Sequence, residues 1–142
     1  MISDEPVRFD TKIVIVVRED LPTWQKLNMT AFLASAVTAA HSDVVGEPYR
    51  DADGTNYLAM LGQPVLVFAA NADAMSQAFG RALSRGVTPA VFIDDLFATG
   101  NDADNRAAVA SVHRDKLALA GLSFRTPKNA ADKITKGLTL HP

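Results

Sequence analysis

Lys26 and Asp95 are the two residues whose side chains could carry out a reaction together. Lys26 falls in the first turn of a predicted helix, where its charge opposes the helix dipole at a cost of about 0.3–1 kcal/mol. With Thr23 as the N-cap, Lys26 takes the N3 position, where a capping box has Glu. An ammonium there could stabilise a developing oxyanion while the carboxylate of Asp95 positions the attacking water. The ordinary alternative is a lysine that simply extends into solvent.

Asp94, Asp95 and Thr99 come directly after a predicted strand. Two adjacent carboxylates point in different directions, so we expect only one of the two to face a site. Asp95 and Thr99 lie four residues apart and can meet on one helical turn. The carboxylate can orient or activate a water, and the hydroxyl can donate or accept a hydrogen bond. Alternatively, Asp94 or Asp95 caps the turn that follows.

Strands that alternate with helices must position these side chains. The predicted strands are Lys12–Val17, Pro64–Ala69, Thr88–Ile93 and Leu117–Ala120, with Leu138–Leu140 as a short strand or a packed tail. The predicted helices are Trp24–Ala40, Asp73–Arg85 with Asn71 as N-cap and Gly86 as C′, a short helix near Ala103–Val112, and one from Thr126-Pro127 to Gly137. Asp53-Gly54 predicts a turn between two short β-prone stretches. This alternation indicates a mainly parallel sheet with helices on both faces.

In such sheets the binding residues gather beyond the carboxyl ends of the strands. The segments at that edge are Arg18–Lys26, Ala70–Asp73 and Asp94–Gly100. We expect a substrate to be bound there by Arg18, Asp20, Trp24 and Asp94. An exposed Trp24 could stack on a nucleic-acid base, or it could cover the helix start as a lid.

The composition indicates one ordinary globular domain spanning residues 1–142. Apolar residues make up 48% of the chain and charged residues 21%, which argues against disorder. Because the chain has no cysteine, a disulfide framework, a thiolate nucleophile and a zinc site built on sulfur are excluded. His41, His113 and His141 share no ligand-like spacing, so we predict no metal site.

No stretch of the sequence approaches the ~20 consecutive apolar residues that a membrane span needs. The first ten residues carry acids and no apolar segment, so we expect neither a signal peptide nor membrane attachment. A cytoplasmic location is the resulting expectation. The sequence also contains no Gly-rich phosphate loop and no Gly-x-Ser-x-Gly elbow.

The net charge of −2 is unevenly distributed along the chain. Residues 1–104 hold seven Lys and Arg against fourteen Asp and Glu, whereas residues 105–142 hold seven against two. The basic last quarter, and within it Arg125–Lys136, could meet an anionic partner such as RNA phosphates. The alternative is a solvated helix face.

Three motifs resemble the archaeal and eukaryotic-type peptidyl-tRNA hydrolases. Arg18–Leu21 at the end of the first strand, followed by Lys26 at the start of a helix of small residues, is similar to the family's first motif. Asp95–Thr99 keeps the Asp and the Thr of the family's Asp-Ala-Gly-Arg-Thr motif at the same spacing. Asp132–Thr135 and the tail after it are similar to the family's terminal helix and tail. Closer still is the similarity of Asp20–Lys26 and Lys136–Pro142 to a bacterial family of unknown function that shares this fold.

The resemblance implies a three-layer α/β/α sandwich with a mixed, mostly parallel sheet of about four strands, usually in a homodimer. It also implies hydrolysis of the ester that joins a peptide to tRNA, without metal or cofactor. The family's catalytic Lys, Asp and Thr correspond to Lys26, Asp95 and Thr99.

The chain also departs from that family close to the expected site. Trp24-Gln25 replaces a glycine-rich stretch, Thr30 stands in place of a glutamine, Ala98 in place of an arginine, and Asn101–Val112 is an insertion.

Two hypotheses about function follow. The first is a hydrolase of peptidyl-tRNA or a related acyl ester, and the second is a non-catalytic dimeric module that binds RNA or another ligand.

Overall fold

The computed structural model of the chain describes residues 6–142. The strands are β1 (Thr11–Arg18), β2 (Tyr49–Arg50), β3 (Asn56–Tyr57), β4 (Val65–Ala70), β5 (Ala90–Ile93), β6 (Leu119–Pro127) and β7 (Thr139–Leu140). The helices are α1 (Thr23–Ala40), α2 (Ala72–Ser84), α3 (Asp102–Ala110) and α4 (Lys128–Ile134). Within residues 6–142, no helix is both long and apolar enough to cross a membrane.

The main sheet has five strands in the order β5-β6-β1-β4-β7, and a mixed α/β fold is therefore confirmed. Only β1 and β4 are parallel neighbours, because β6 runs antiparallel to both β1 and β5, and β7 runs antiparallel to β4. The expected mixed sheet is confirmed, and its fifth strand, β7, lies in the tail Leu138–Leu140 that the sequence left open as a strand, but the expectation of mostly parallel pairing was wrong. β1, β4 and β5 nevertheless run in the same direction and end at the same edge of the sheet.

β6 is the largest departure from the sequence prediction. It is nine residues long, whereas Leu117–Ala120 was expected to be a short strand. The Thr126-Pro127 dipeptide, expected to start a helix, forms the last two residues of β6 and pairs with β1. α4 then begins at Lys128 without a side-chain cap, and it ends at Ile134 rather than at Gly137. The helix therefore starts one residue after Pro127 instead of at Pro127, so the local signal placed the start almost correctly.

Alternate residues of β1 face two different layers of helices. Ile15 and Val17 pack against Met29 and Leu33 of α1. Val14 and Val16, on the other face, belong to a larger apolar cluster that includes residues of α2 and α4. The five residues Ile13–Val17 are each 1% exposed or less, as expected for a strand covered on both faces.

The end signals of α2 are confirmed. The side chain of Asn71 accepts a hydrogen bond from the amide of Ala74 at 2.8 Å, and Gly86, just past the helix, has a φ of 73°. α1 differs slightly from the prediction, because Thr23 is its first residue rather than its N-cap. Lys26 therefore lies one position further into the helix than expected.

β2 and β3 form an exposed hairpin in the connection between α1 and β4. The expected turn is confirmed at Gly54, whose φ is 85°. The carboxylate of Asp51 accepts hydrogen bonds from the hydroxyl of Tyr57 at 2.7 Å and from the amides of Asp53 and Thr55 at 2.9 Å each. These hydrogen bonds lower the pKa of Asp51 below its ordinary value, and the bond from Tyr57 has the largest effect.

Candidate functional site

One arginine joins the carboxyl ends of β1 and β5. Nε of Arg18 donates a hydrogen bond to Oδ1 of Asp20 at 2.7 Å, and Nη1 lies 2.9 Å from Oδ1 of Asp94. Nη1 also donates to the carbonyl of Leu119, at the start of β6, at 3.0 Å. Three of the four residues expected to bind a substrate therefore form one cluster at the predicted edge, and their role in binding stays a prediction.

The ionisable groups of this cluster shift the pKa values of one another. Burial opposes the charge of Arg18, whose side chain is 13% exposed, but hydrogen bonds to Asp20 and Asp94 outweigh burial and raise the pKa of Arg18 above its ordinary value. The hydrogen bond from Arg18 is the main cause of a lowered pKa at Asp20, and the charge of Lys26 lowers that pKa further. Oδ1 of Asp94 is buried without a well-aligned hydrogen bond among the described residues, so its ion pair with Arg18 offsets its desolvation.

Lys26 is half-buried and faces the tail of the chain. Its Nζ lies 3.1 Å from Nε2 of His141, which follows β7. The other ring nitrogen, Nδ1, lies 2.9 Å from the carbonyl oxygen of Pro142, and because that oxygen can only accept, Nδ1 is assigned the proton. In that tautomer Nε2 accepts the hydrogen bond from Nζ of Lys26.

The first turns of α1 separate Lys26 from the predicted threonine. Each residue turns an α-helix by about 100°, so Lys26 points about 160° away from both Trp24 and Asn28. Trp24 and Asn28 line a cavity together with Thr99, whereas Lys26 contacts His141. Lys26 and Thr99 therefore lie on opposite flanks of α1 and are not brought into one cavity.

Thr99 and Asp95 lie at the far side of the same edge. The hydroxyl of Thr99 donates to the carbonyl of Leu96 at 3.0 Å and also contacts Oδ1 of Asn105 on α3. Asp95 is exposed on the 3₁₀ turn Asp94–Ala98, and this turn has no side-chain cap. The hydroxyl thus serves to attach α3 to the turn, and the Asp95 carboxylate is open to solvent.

A row of aromatic rings lies between α1 and the segment after β5. Phe92 lies at its centre, with ring centroids 4.8 Å from Phe97 and 5.9 Å from Phe32. Trp24 meets Phe97 edge-to-face at 6.0 Å and remains 60% exposed. Trp24 therefore packs against its neighbour and still presents most of its indole to solvent.

These rings line an open groove whose other wall is α3, which we call the α1–α3 groove. It consists of a cavity of about 580 Å³ and an adjoining one of about 410 Å³ that share Phe32, Phe92, Leu96, Asp102 and Asn105. The larger part is mostly apolar, and its polar rim residues are Asp102, Asn105 and Arg106. The insertion 101–112 therefore supplies one wall of this groove. Among residues 6–142, no group of three or more acidic or histidine side chains could hold a metal ion.

Comparison with known proteins places the chain in a family. The sequence profile of DUF2000, a protein of unknown function, matches residues 11–142. The chain belongs to this family. A solved structure of a protein of unknown function from Agrobacterium tumefaciens is 41% identical in sequence and has a TM-score of 0.93. That match covers 95% of this chain and all of the other chain. No curated protein matches the chain.

The whole α1–α3 groove lies within the region that matches DUF2000. The matched residues begin at Thr11, the first residue of β1, and include α1, β5 and α3. The expectation of a family of unknown function is thereby confirmed. The groove is thus built from DUF2000 sequence throughout, with no contribution from residues 6–10.

Sequence reasoning named Trp24 and Thr99, which line the smaller part of the groove, but it missed the phenylalanines there and the contact of His141 with Lys26. Phe32, Phe92 and Phe97 were not distinguished from ordinary core residues. A signal was present in α1, where Trp24 and Phe32 lie off the main apolar stripe and indicate a second partner surface. His141 had no such signal, because its partner is 115 positions away in the chain.

Proposed function

We propose that this DUF2000 protein is a binding module that takes an apolar ligand in the α1–α3 groove. The observation that carries the proposal is the groove itself, whose larger part, of about 580 Å³, is lined mainly by apolar and aromatic side chains. Small-molecule sites commonly have about 300–1,000 Å³ and a few polar groups in an otherwise apolar lining. Asp102, Asn105 and Arg106 supply such groups.

The way α3 is attached supports this proposal. None of its nine residues is buried, and Val109 and Asn105 are half-buried at the groove side. A helix added only to enlarge the core would bury an apolar stripe against the sheet. α3 instead lies beside the fold and leaves the ring of Phe32, which is 53% exposed, accessible between the two helices.

Replacing Phe32 with alanine is expected to weaken binding of the neutral apolar dye Nile red about tenfold. Phe32 lines both parts of the groove and is 53% exposed in the free protein, so its removal takes away contact surface with little effect on folding. A partly lost aromatic contact of this size corresponds to about 1.4 kcal/mol. Dye fluorescence titrated against protein concentration measures the dissociation constant.

Leu27→Ala is the matched control, since Leu27 is 68% exposed on the same helix but does not line the groove. It should bind the dye like the natural protein. Equal weakening by both substitutions, or no dye binding at all, would contradict the proposed function.

A second candidate function is hydrolysis of peptidyl-tRNA or a related acyl ester by Lys26, Asp95 and Thr99, in a homodimer. The half-buried ammonium of Lys26 at the carboxyl edge of the sheet favours it, as does the exposed carboxylate of Asp95 at the same edge. Catalysis would require Lys26 to leave His141 and turn toward the substrate. The basic residues near the end of the chain would meet the tRNA, although Arg125 already pairs with Asp43 at 3.0 Å.

Peptidyl-tRNA hydrolysis tests this second candidate directly. The natural protein should release peptide at least 100-fold faster than Lys26→Ala or Asp95→Asn, an effect typical of a lost acid–base or oxyanion group. Asp73→Asn, an exposed acid in the first turn of α2, serves as the control and should retain full activity. Equal background rates for all four proteins would exclude the hydrolase.

A further inference from the structure

The two parts of the α1–α3 groove have different linings. The larger part, of about 580 Å³, is apolar except for Asp102, Asn105 and Arg106. The smaller part, of about 410 Å³, combines aromatic rings with side chains that form hydrogen bonds without carrying a charge. These uncharged polar residues are Asn28, Thr99, Asn101 and Asn105. The groove therefore has one end suited to an apolar chain and one end suited to an uncharged polar group.

Little charge faces this groove. α1 has no charged residue between Leu27 and Ala40, and β5 has none along its length. Among residues 6–142, the only charged residues that line either part are Asp102 and Arg106, which lie one turn apart on α3 and form an ion pair. Both of these side chains are exposed. A charged ligand would lose hydration in the groove without meeting an unpaired counter-charge, so the groove favours an uncharged ligand.

Two of the uncharged polar side chains keep hydrogen-bonding capacity for a ligand. Asn101 uses both ends of its amide on Asp104, accepting from the backbone amide at 2.8 Å and donating to the carboxylate at 2.9 Å. Asn105 uses one end of its amide on the hydroxyl of Thr99. Within residues 6–142, the other end of the Asn105 amide and the whole side-chain amide of Asn28 make no hydrogen bond. These groups can therefore donate to a ligand atom and accept from one.

We propose that the ligand of the α1–α3 groove is an uncharged amphiphile with a carboxamide-type head. This inference rests on the proposed function and specifies the chemical class of its ligand. The apolar chain occupies the larger part of the groove, and Asn28 and Asn105 bind the head in the smaller part. Phe32 lines both parts, so its ring contacts the chain next to the head. A primary carboxamide both donates and accepts hydrogen bonds, as the side chain of Asn28 does.

Displacement of Nile red by octanamide, octanoate and octylammonium, each below its micelle concentration, tests the choice of an uncharged head. The three compounds share an apolar chain of similar length, and at neutral pH only the two controls are charged. On the full chain, octanamide should displace the dye at a concentration about tenfold lower than either charged compound requires. Added salt should leave the displacement by octanamide unchanged, because no charge takes part in its binding.

Asn28→Leu tests where the head binds. Asn28 is exposed and lines only the smaller part, so the substitution removes hydrogen bonds to the head and leaves the larger part intact. The affinity for octanamide should fall about fivefold, as for one lost hydrogen bond, while Nile red binds no more weakly than to the natural protein. Retained dye binding also shows that the variant is folded. The same substitution at Asn56, an exposed residue of the hairpin, is the matched control and should change neither affinity.

Other results would overturn the inference, and they are distinct from failure of the proposed function. If Nile red binds and Phe32→Ala weakens it, but octanamide displaces it no better than the charged compounds do, the groove binds a ligand without selecting an uncharged head. Preference for octanoate would assign anion binding to Arg106, and preference for octylammonium would assign cation binding to Asp102. An unchanged affinity of Asn28→Leu for octanamide would exclude the smaller part as the head site. Absence of dye binding would remove the proposed function and this inference together.

Discussion

Gly121→Ala is expected to lower the free energy of unfolding by about 1–3 kcal/mol, with a larger loss for Gly121→Val. A Cβ at this buried position of β6 would lie 2.7 Å from Sδ of Met29, 2.9 Å from Cδ1 of Leu33 and 2.9 Å from the carbonyl oxygen of Val16. The two side chains can shift, but the carbonyl belongs to β1, the central strand. Relief of the clash therefore requires α1 to move away from the sheet or the pairing of β1 with β6 to loosen.

Urea denaturation measures this loss, and Gly80→Ala is its control. Gly80 lies in the interior of α2, and a methyl group added there would meet no atom within 4 Å, so alanine should raise stability by about 0.5–1 kcal/mol. Opposite signs for the two substitutions are the expected result. A neutral Gly121→Ala would show that β6 and α1 are packed less tightly than the structure indicates.

Arg18→Met is expected to cost about 1–3 kcal/mol at neutral pH. Methionine keeps the apolar stem of the side chain but leaves the buried Oδ1 of Asp94 without its counter-charge, and the carbonyl of Leu119 without its donor. The lost contact with Asp20 adds little to this loss of stability, because Asp20 is exposed to solvent.

The same substitution should change the acid dependence of stability. The pKa of Asp20 is lower in the folded protein than its ordinary value, so its stabilising contribution is present above about pH 4 and is lost as the pH falls through the lowered pKa. The stability difference between the natural protein and Arg18→Met should therefore shrink below about pH 4. Arg85→Met, at an exposed arginine after α2, should change stability by less than about 0.5 kcal/mol at any pH. A difference that stays constant down to pH 2 would contradict the ion-pair account of Arg18.

Local signals in the sequence predicted most of the elements. The unbroken run Ile13–Val17 predicted a buried strand, and the signals at Asn71 and Gly86 predicted the ends of α2. Such signals depend only on residues that are close in the chain. The tertiary structure does not oppose them at these positions, so the predicted elements form. The short helix expected near Ala103–Val112 is present as α3 for the same reason.

β6 could not be predicted in this way, because its sequence carries signals for other structures. Gly121 inside β6 and Pro127 at its end are residue types that usually weaken a strand with neighbours on both sides. Ser123 is fully buried, and its hydroxyl donates to the carbonyl of Leu33 on α1 at 2.9 Å. Only the tertiary structure supplies that acceptor, and only the close approach of α1 explains the glycine.

The sequence predicted which side chains meet at the edge of the sheet, but not how the others point. Arg18, Asp20 and Asp94 do meet there, and their role in binding stays a prediction. The direction in which Lys26 points could not be foreseen, since it depends on the exact start of α1 and on a histidine from the tail. The groove depends on where the insertion folds back, and no local pattern specifies that position.

The pairing of β1 with β6 determines when the protein can fold. Thr11 and Arg125, which hydrogen-bond across these strands at 3.1 Å, are 114 positions apart in the chain. Closing so long a loop costs conformational entropy and is slow. The first contacts between the two strands stabilise the chain little until most of the other contacts have formed. A growing chain on the ribosome must therefore keep the first strand, with its five consecutive β-branched residues, unpaired on one side until Leu119–Pro127 has emerged. Synthesis rate and chaperone access in that interval should govern the yield of native protein more than the stability of the finished molecule does.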